Sequence, residues 1–468
     1  MAEMDPAKFT PKNEFKITDP ERIPSKRYFS DEFFELEKEL LWPKVWQMAC
    51  RLEQIPEVGD WVEYKNLDQT VIVVHTTSGV KAFQNHCRHR GVKLVSGDGN
   101  CAKSGFVCPF HGWRWNMDGK STFIYGRERF SEEALDAAEV NLKPVRCETW
   151  GGCAFINFDE KAPNLRKTFG SQLDQLEAHG VDKVRSQWWF GTVLPANWKL
   201  AMEAFMEGYH VMTTHPEMQR AAPELTNARY DEDTGGLGVL SDPGKSTAQR
   251  IKDYIEYLQA ICTGMGGGMC QEKEMEIIRE LADLELPDDT GEAMQAWYGA
   301  VHVRLKEKLG EKGEVIPDLN LAAMTTGPTS AVEFLFPHYF VLRMFSSYSS
   351  YRIRPLGPES CFFEIWSLTH FAEGEEPEVP HEPTVLPYDS KEFPLIPQQD
   401  YSNIPLQQIG LHGRDFEYMR LNKDNEGMIS DYQRIIDGYI DGVDQSKLTA
   451  AIHKLTNNFD GPINELGF

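Results

Sequence analysis

Two short stretches, NHCRHRG and CPFHGWRW, bring together side chains that can bind metal: Cys87 with His89, and Cys108 with His111. Each pair offers one sulfur and one ring nitrogen from a tight loop, so two loops can close over one centre. Gly91 and Gly112 fall where such loops need backbone freedom. Two centres compete for this donor set. A tetrahedral zinc site takes two cysteines and two histidines. So does a 2Fe–2S cluster in which histidines replace the thiolates on one iron. The C-x-H spacing is unusual for zinc, and both loops fall in a stretch of β character, which favours the cluster. Neutral nitrogen ligands raise a cluster's reduction potential and suit it to relay electrons. His86 and Cys101 flank the four donors and read as a loop residue and a buried or linker thiol. Arg88, Arg90 and Lys93 make the first loop basic, either as a guide for an acidic electron carrier or as an ordinary solvated loop.

A second group lies in NWKLAMEAFMEGYHVMTTHP, where His210 and His215 are the candidate imidazoles. An Fe(II) centre that binds O₂ needs two histidines and a carboxylate on one face, with other positions open. Residues five apart on an unbroken helix diverge by roughly 140°. The helix must therefore bend or end between them, and Pro216 agrees with an ending. Taken alone, such a pair is more often core or surface. An electron-relay cluster upstream changes that weighting, because its electrons need an acceptor. Glu207, three residues before His210, can reach that ring's other nitrogen from the same helical face. The third ligand must come from elsewhere: Asp424 in LNKDNEGMISDYQ, with Asp415, Glu426 and Asp431 as rivals that spacing does not separate.

The elements that must position these groups are partly legible. DEFFELEKELLWPKVW has apolar residues at helical spacing, with Ser30 or Asp31 placed to cap it. From Trp61 to about Phe158 short alternating runs separated by turn residues predict a small antiparallel β domain. Beyond Pro163, LRKTFGSQLDQLEAHG reads as one helix and the His210 segment as a second. A charged helical section from Asp242 to Lys312 is interrupted by Gly264 to Met269, which breaks regular structure. Ser330 to Phe371 predicts a β-meander, Glu373 to Pro405 a proline-rich connection, and Arg414 to Gly438 a final helix. The fold class is α+β: a small antiparallel β domain at 46–163 and a larger helix-flanked antiparallel sheet domain at 164–468. The helical segment 1–45 packs on the larger domain.

The chain of 468 residues has room for two such domains, and a formal charge of −24 disfavours nucleic acid and anionic lipid as partners. No apolar run approaches the ~20 residues of a membrane span. The nine cysteines, odd in number and scattered, suit a reducing cytoplasm better than a disulfide framework.

Together these motifs resemble the α subunits of Rieske non-haem iron ring-hydroxylating oxygenases across nearly the whole chain. The family's NW…E…(D/E)-x-x-H-x₄-H pattern falls on Asn197, Trp198, Glu203, Glu207, His210 and His215. The family's distal aspartate stands nine residues before a glutamine, as Asp424 stands before Gln433, and the resemblance makes Asp424 the third iron ligand. It also implies a head-to-tail homotrimer, with or without a small β subunit, in which Glu207 links His210 to the cluster histidine His111 of the next chain. Two departures stand out: Glu207 replaces the usual aspartate, and Ala204 stands where an asparagine is common. Glutamate at that bridge also occurs in relatives that attack quaternary amines. The expectation is an oxygenase fed by a ferredoxin or an NAD(P)H-dependent reductase, since no nucleotide fingerprint occurs here. Its substrate would be an apolar aromatic or polycyclic molecule, with Met202, Phe205, Met206 and Met212 as pocket candidates. Oxidative O- or N-demethylation is the alternative. An electron-transfer protein would leave His210 and His215 without a job, and a zinc-stabilised binding module would be colourless.

Overall fold

A computed structural model describes residues 15–221, 244–326, 332–456 and 458–468. The first fourteen residues of the expected N-terminal segment, the start of the charged helical section and Ser330 lie outside the described residues.

The α+β expectation holds. Strands Gln47–Arg51, Cys153–Asn157, Pro144–Trp150, Gly79–Gln84, Gln69–Thr76, Asp60–Asn66 and Asp98–Asn100 form, in that spatial order, a seven-stranded antiparallel sheet. The inner strand Gln69–Thr76 buries Val71, Ile72, Val73 and Val74 consecutively, because both of its faces are covered. A smaller sheet of Phe106–Val107, Arg114–Trp115 and Ser121–Phe123 carries the second cysteine–histidine loop.

The meander is present as Val332–Leu335, Tyr339–Arg343, Tyr348–Gly357 and Ser360–Thr369. Arg185–Leu194 pairs antiparallel with its last strand, and Thr384–Val385 adds in parallel to make six strands. Helices Thr247–Gly264, Glu272–Arg279 and Thr290–Glu311 pack together around Trp297, Leu258 and Leu305. Strand Arg22–Pro24 pairs with Tyr418–Arg420, and the buried Arg27 donates to Gln433 and Asp437, so the chain's early residues are tied to its late ones.

Several helices differ from expectation. After the cap at Ser30, whose Oγ accepts from the Phe33 N–H, the first helix runs Asp31–Leu36 and widens into a π-turn at Glu37–Leu41. LRKTFGSQLDQLEAHG is two helices, Leu165–Phe169 and Ser171–Ala178, broken at Gly170 with φ +67. The helix expected over Arg414 to Gly438 starts at Gly427, since Arg414 to Glu426 holds the short strand and a turn instead, and a further helix, Gln445–Leu455, follows it. The proline-rich connection contains a helix, Leu395–Leu411. Pro397 sits in its first turn, where its missing N–H costs nothing. Pro405 lies inside and is held by packing, with Tyr401 against Phe363 and Phe393 at 5.0 and 5.2 Å between ring centres.

Candidate metal centres and the family of the chain

The two cysteine–histidine loops are built alike. Cys87 N–H donates to Val92 O and Gly91 N–H returns to Cys87 O, while Cys108 N–H donates to Trp113 O and Gly112 N–H to Cys108 O. Each turn closes through a glycine at positive φ, +75 at Gly91 and +71 at Gly112. Both thiols are buried, and the imidazoles of His89 and His111 stand 4.8 Å apart, edge to face. The His89 ring stacks on Trp113 at 4.9 Å, which fixes its plane. Its Nδ1 is buried without a hydrogen-bond partner. Such an orphaned nitrogen is costly unless something binds it. Burial, then His111 and Arg90, hold the His89 pKa below its ordinary value, keeping the lone pair available. Paired thiols on one side and paired imidazoles on the other fit a cluster with sulfur on one iron and nitrogen on its neighbour. His86 is a loop residue in a bridge with Lys93, and Cys101 is a buried thiol.

The second centre forms where the helix is interrupted. The helix Trp198–Glu203 ends well before the histidines, and His210 and His215 flank the short turn Val211–Thr214. The bend required by their spacing is therefore real, but it starts earlier than Pro216 alone suggested. Glu207 reaches His210 from a loop rather than along a helical face. It accepts the His210 backbone N–H at 3.0 Å and pairs with Nδ1 at 2.8 Å. The Nε2 atoms then face Asp400, whose Oδ1 lies 3.9 Å from His210 Nε2 and 3.3 Å from His215 Nε2. One ligand atom from each of the three residues falls within 4.8 Å of the others. Burial opposes protonation of His210, but Glu207, Asp400 and Asp460 outweigh it and carry its pKa to about 8. Two nitrogens and a buried carboxylate converging in this way fit a cation with two imidazole ligands and one carboxylate.

The expectation for the third ligand is corrected here. Asp424 lies exposed on a turn, where its N–H donates to Asn422 Oδ1, and it is not part of the convergent group. Asp415 is also exposed, Glu426 accepts from the Asn422 N–H, and Asp431 is saturated by Arg434, Asn458 and Asn464. Gln433 serves Arg27, Tyr28 and Glu203 instead. Asp400 comes from the helix Leu395–Leu411. Read as a helix, that segment buries Pro397, Asp400, Tyr401, Ile404 and Gln408, so Asp400 is the acid on its inward face.

Among the described residues, two recesses adjoin this centre. One of about 320 Å³ beside His215 is lined by Met218, Ala260, Leu395 and Ile396, with Glu217 and Glu256 as its charged groups. None of the expected Met202, Phe205, Met206 and Met212 lines this recess: Met202 and Met206 are fully buried, and Phe205 packs on Phe340 and Tyr351. The other recess, about 280 Å³, opens on Glu207 and is walled by Ala204, Phe416, Met419 and Glu426.

Comparison with known proteins agrees with this architecture. Residues 173–442 match the ring hydroxylating alpha subunit (catalytic domain) family, and residues 45–128 match the Rieske 2Fe–2S domain. The carnitine monooxygenase oxygenase subunit of Acinetobacter baumannii is 32% identical over 197 residues, covering 42% of this chain and 52% of that protein. The match thus spans about half the length of that relative. The fold is shared with a naphthalene 1,2-dioxygenase variant bound to phenanthrene, at TM-score 0.62 and 19% identity over 95% of this chain and 99% of that one. It is also shared with the apo form of a quaternary ammonium Rieske monooxygenase, at TM-score 0.57 and 16% identity over 92% and 98%. With a Rieske domain ahead of a catalytic domain that matches over more than half its length, the chain belongs to the ring-hydroxylating oxygenase alpha-subunit family.

Proposed function

We propose that the chain is the oxygenase component of a multicomponent Rieske oxygenase, taking electrons from a reductase or ferredoxin and using O₂ to oxidise an organic substrate. The observation that carries this reading is the convergence of His210, His215 and Asp400 beside a largely apolar recess, in a chain that also holds the two-loop cluster site. Cys87, His89, Cys108 and His111 would hold the 2Fe–2S cluster, and His210, His215 and Asp400 the mononuclear iron. When bound, the cluster supplies single electrons and the iron supplies open positions at which O₂ is activated. The chain's own groups do the positioning. Glu207 accepts at Nδ1 of His210 and leaves its Nε2 facing Asp400. Met218, Leu395 and Ile396 provide an apolar wall beside His215.

Glu207 also opens onto the second recess, while His111 is half-exposed beside Phe110, which is 57% exposed. Both features support a homotrimer in which a neighbouring cluster tip seats at Glu207. Among the described residues no helix is long and apolar enough to cross a membrane.

For the substrate, an apolar aromatic body suits the Met218, Ala260, Leu395 and Ile396 wall. A second reading, oxidative N-demethylation of an organic cation, is favoured by Glu217 and Glu256, the charged lining of the same recess. An anionic substrate has no lysine or arginine to meet among these lining residues. Substrate-dependent O₂ uptake with a Rieske-type reductase tests this. We expect uptake with a neutral aromatic or a quaternary amine and none with aromatic carboxylates. Uptake confined to carboxylates would overturn the assignment of this recess.

A further inference from the structure

His215 makes a contact that the pairing of His210 with Glu207 does not explain. Its Nδ1 lies 2.7 Å from Gln399 Oε1, and Gln399 Nε2 donates to Glu217 Oε2 at 2.7 Å. Glu217 Oε1 in turn accepts from Arg220 at 3.0 Å. Gln399 is the residue immediately before Asp400, so one turn of the helix Leu395–Leu411 presents both a carboxylate to the centre and an amide to one of its histidines.

We infer that Gln399, itself oriented by Glu217, is the positioning residue that sets the tautomer and ring direction of His215 for metal binding. The inference rests on the reading of His210, His215 and Asp400 as a metal site. An amide side chain can present either its oxygen or its NH₂ to a neighbour, and only the hydrogen-bond network decides which. An ionised carboxylate accepts and cannot donate. Glu217 therefore fixes the Gln399 NH₂ toward itself and turns the amide oxygen to His215. A carbonyl oxygen also only accepts, so His215 Nδ1 must carry the proton. Its Nε2 is then the lone-pair nitrogen, and Nε2 is the atom 3.3 Å from Asp400. Glu217 does this while lining the recess beside His215, so one carboxylate touches both the cavity and the support of a ligand.

The proposal extends to the two histidines a common device built from different parts. His210 is fixed directly by the carboxylate of Glu207, and His215 at one remove by a carboxylate acting through an amide. A relayed contact is more easily upset, because reversing the amide reverses the tautomer.

The test uses the full chain with its cluster loaded, its second site cleared with a chelator and titrated with Co(II), and the cluster's visible spectrum as the folding control. Loss of such a supporting contact costs roughly 10–100-fold in metal affinity. Q399A is expected to bind Co(II) that much more weakly with an unchanged cluster spectrum. E217K replaces the acceptor with a donor, turns the Gln399 amide around and is expected to weaken binding at least as much, although residue 217 does not touch the metal. Q399E alone sets two carboxylates against each other and weakens binding. The exchange Q399E/E217Q restores an acceptor for Nδ1 and a donor beside it, and is expected to regain affinity to within a few-fold of wild type. Wild-type affinity in Q399A and E217K, or an exchange no better than Q399E, would overturn the inference. A wild-type protein that takes up no Co(II) would instead overturn the metal-site reading beneath it.

Discussion

At the scale of single residues, the cysteine–histidine donors are legible in the sequence because residue identity and spacing lie within a few positions of each other. The third acid of the other site was not. The resemblance points to Asp424 by its distance to Gln433, but that glutamine belongs to a buried network with Arg27, Tyr28 and Glu203, and its spacing says nothing about metal. Asp400 was hidden by two prolines that made its helix read as a connection. The period of burial in that segment was the available signal. The two acids therefore separate in a direct experiment. D400A is expected to keep the cluster and lose the mononuclear iron, whereas D424A keeps both, as read by iron per chain and by electron paramagnetic resonance. Iron retained in D400A but lost in D424A would return the ligand to the turn at Asn422–Glu426.

At the scale of elements, β-strands are legible in the sequence because alternation and turn residues are local signals. The helices are less so because glycine and proline carry context-dependent meaning. Gly170 divides what looked like one helix, and Pro405 fails to divide what is one. Glycines of the cluster domain show the same dependence and can be ranked. Gly112 has positive φ but open space where a Cβ would sit, so G112A should cost only the left-handed backbone penalty of about 1–2 kcal/mol. Gly105 also has positive φ, but a Cβ there would meet the Trp115 carbonyl at 2.1 Å, at the strand that leads out of the second ligand loop. The loop cannot yield without moving that backbone. G105A is expected to lose cluster absorbance per chain and to melt well below G112A. Equal melting and equal absorbance in the two variants would refute this placement of strain.

At the scale of the whole molecule, net charge disfavours polyanionic partners but says nothing about which buried groups respond to pH, since that depends on what folding places around them. Burial and the nearby Lys273, Lys183 and Arg185 push His370 down to about 4, and burial with Arg343 does the same to His179. Both are more than nine-tenths buried by area. Below the ordinary histidine value the unfolded chain binds protons that the folded chain refuses until about pH 4, so each histidine makes stability fall as pH drops from 6.5 to 4. Glu203 acts in the opposite direction. Burial lifts its carboxyl to about 7 against the donors Gln433 and Tyr28, so the folded state holds a proton that the unfolded state has released. Its contribution is fully present below pH 4.5 and is lost as pH rises to 7. Between pH 4.5 and 6.5 the two histidines outweigh the one carboxyl, and among these three groups stability should rise with pH by the equivalent of about one proton. Replacing one histidine, as in H370Q, should flatten the dependence of melting temperature on pH over that window, and E203Q should steepen it. A steeper profile in H370Q would mean that the ring at 370 is charged in the folded protein, a state its three cationic neighbours oppose.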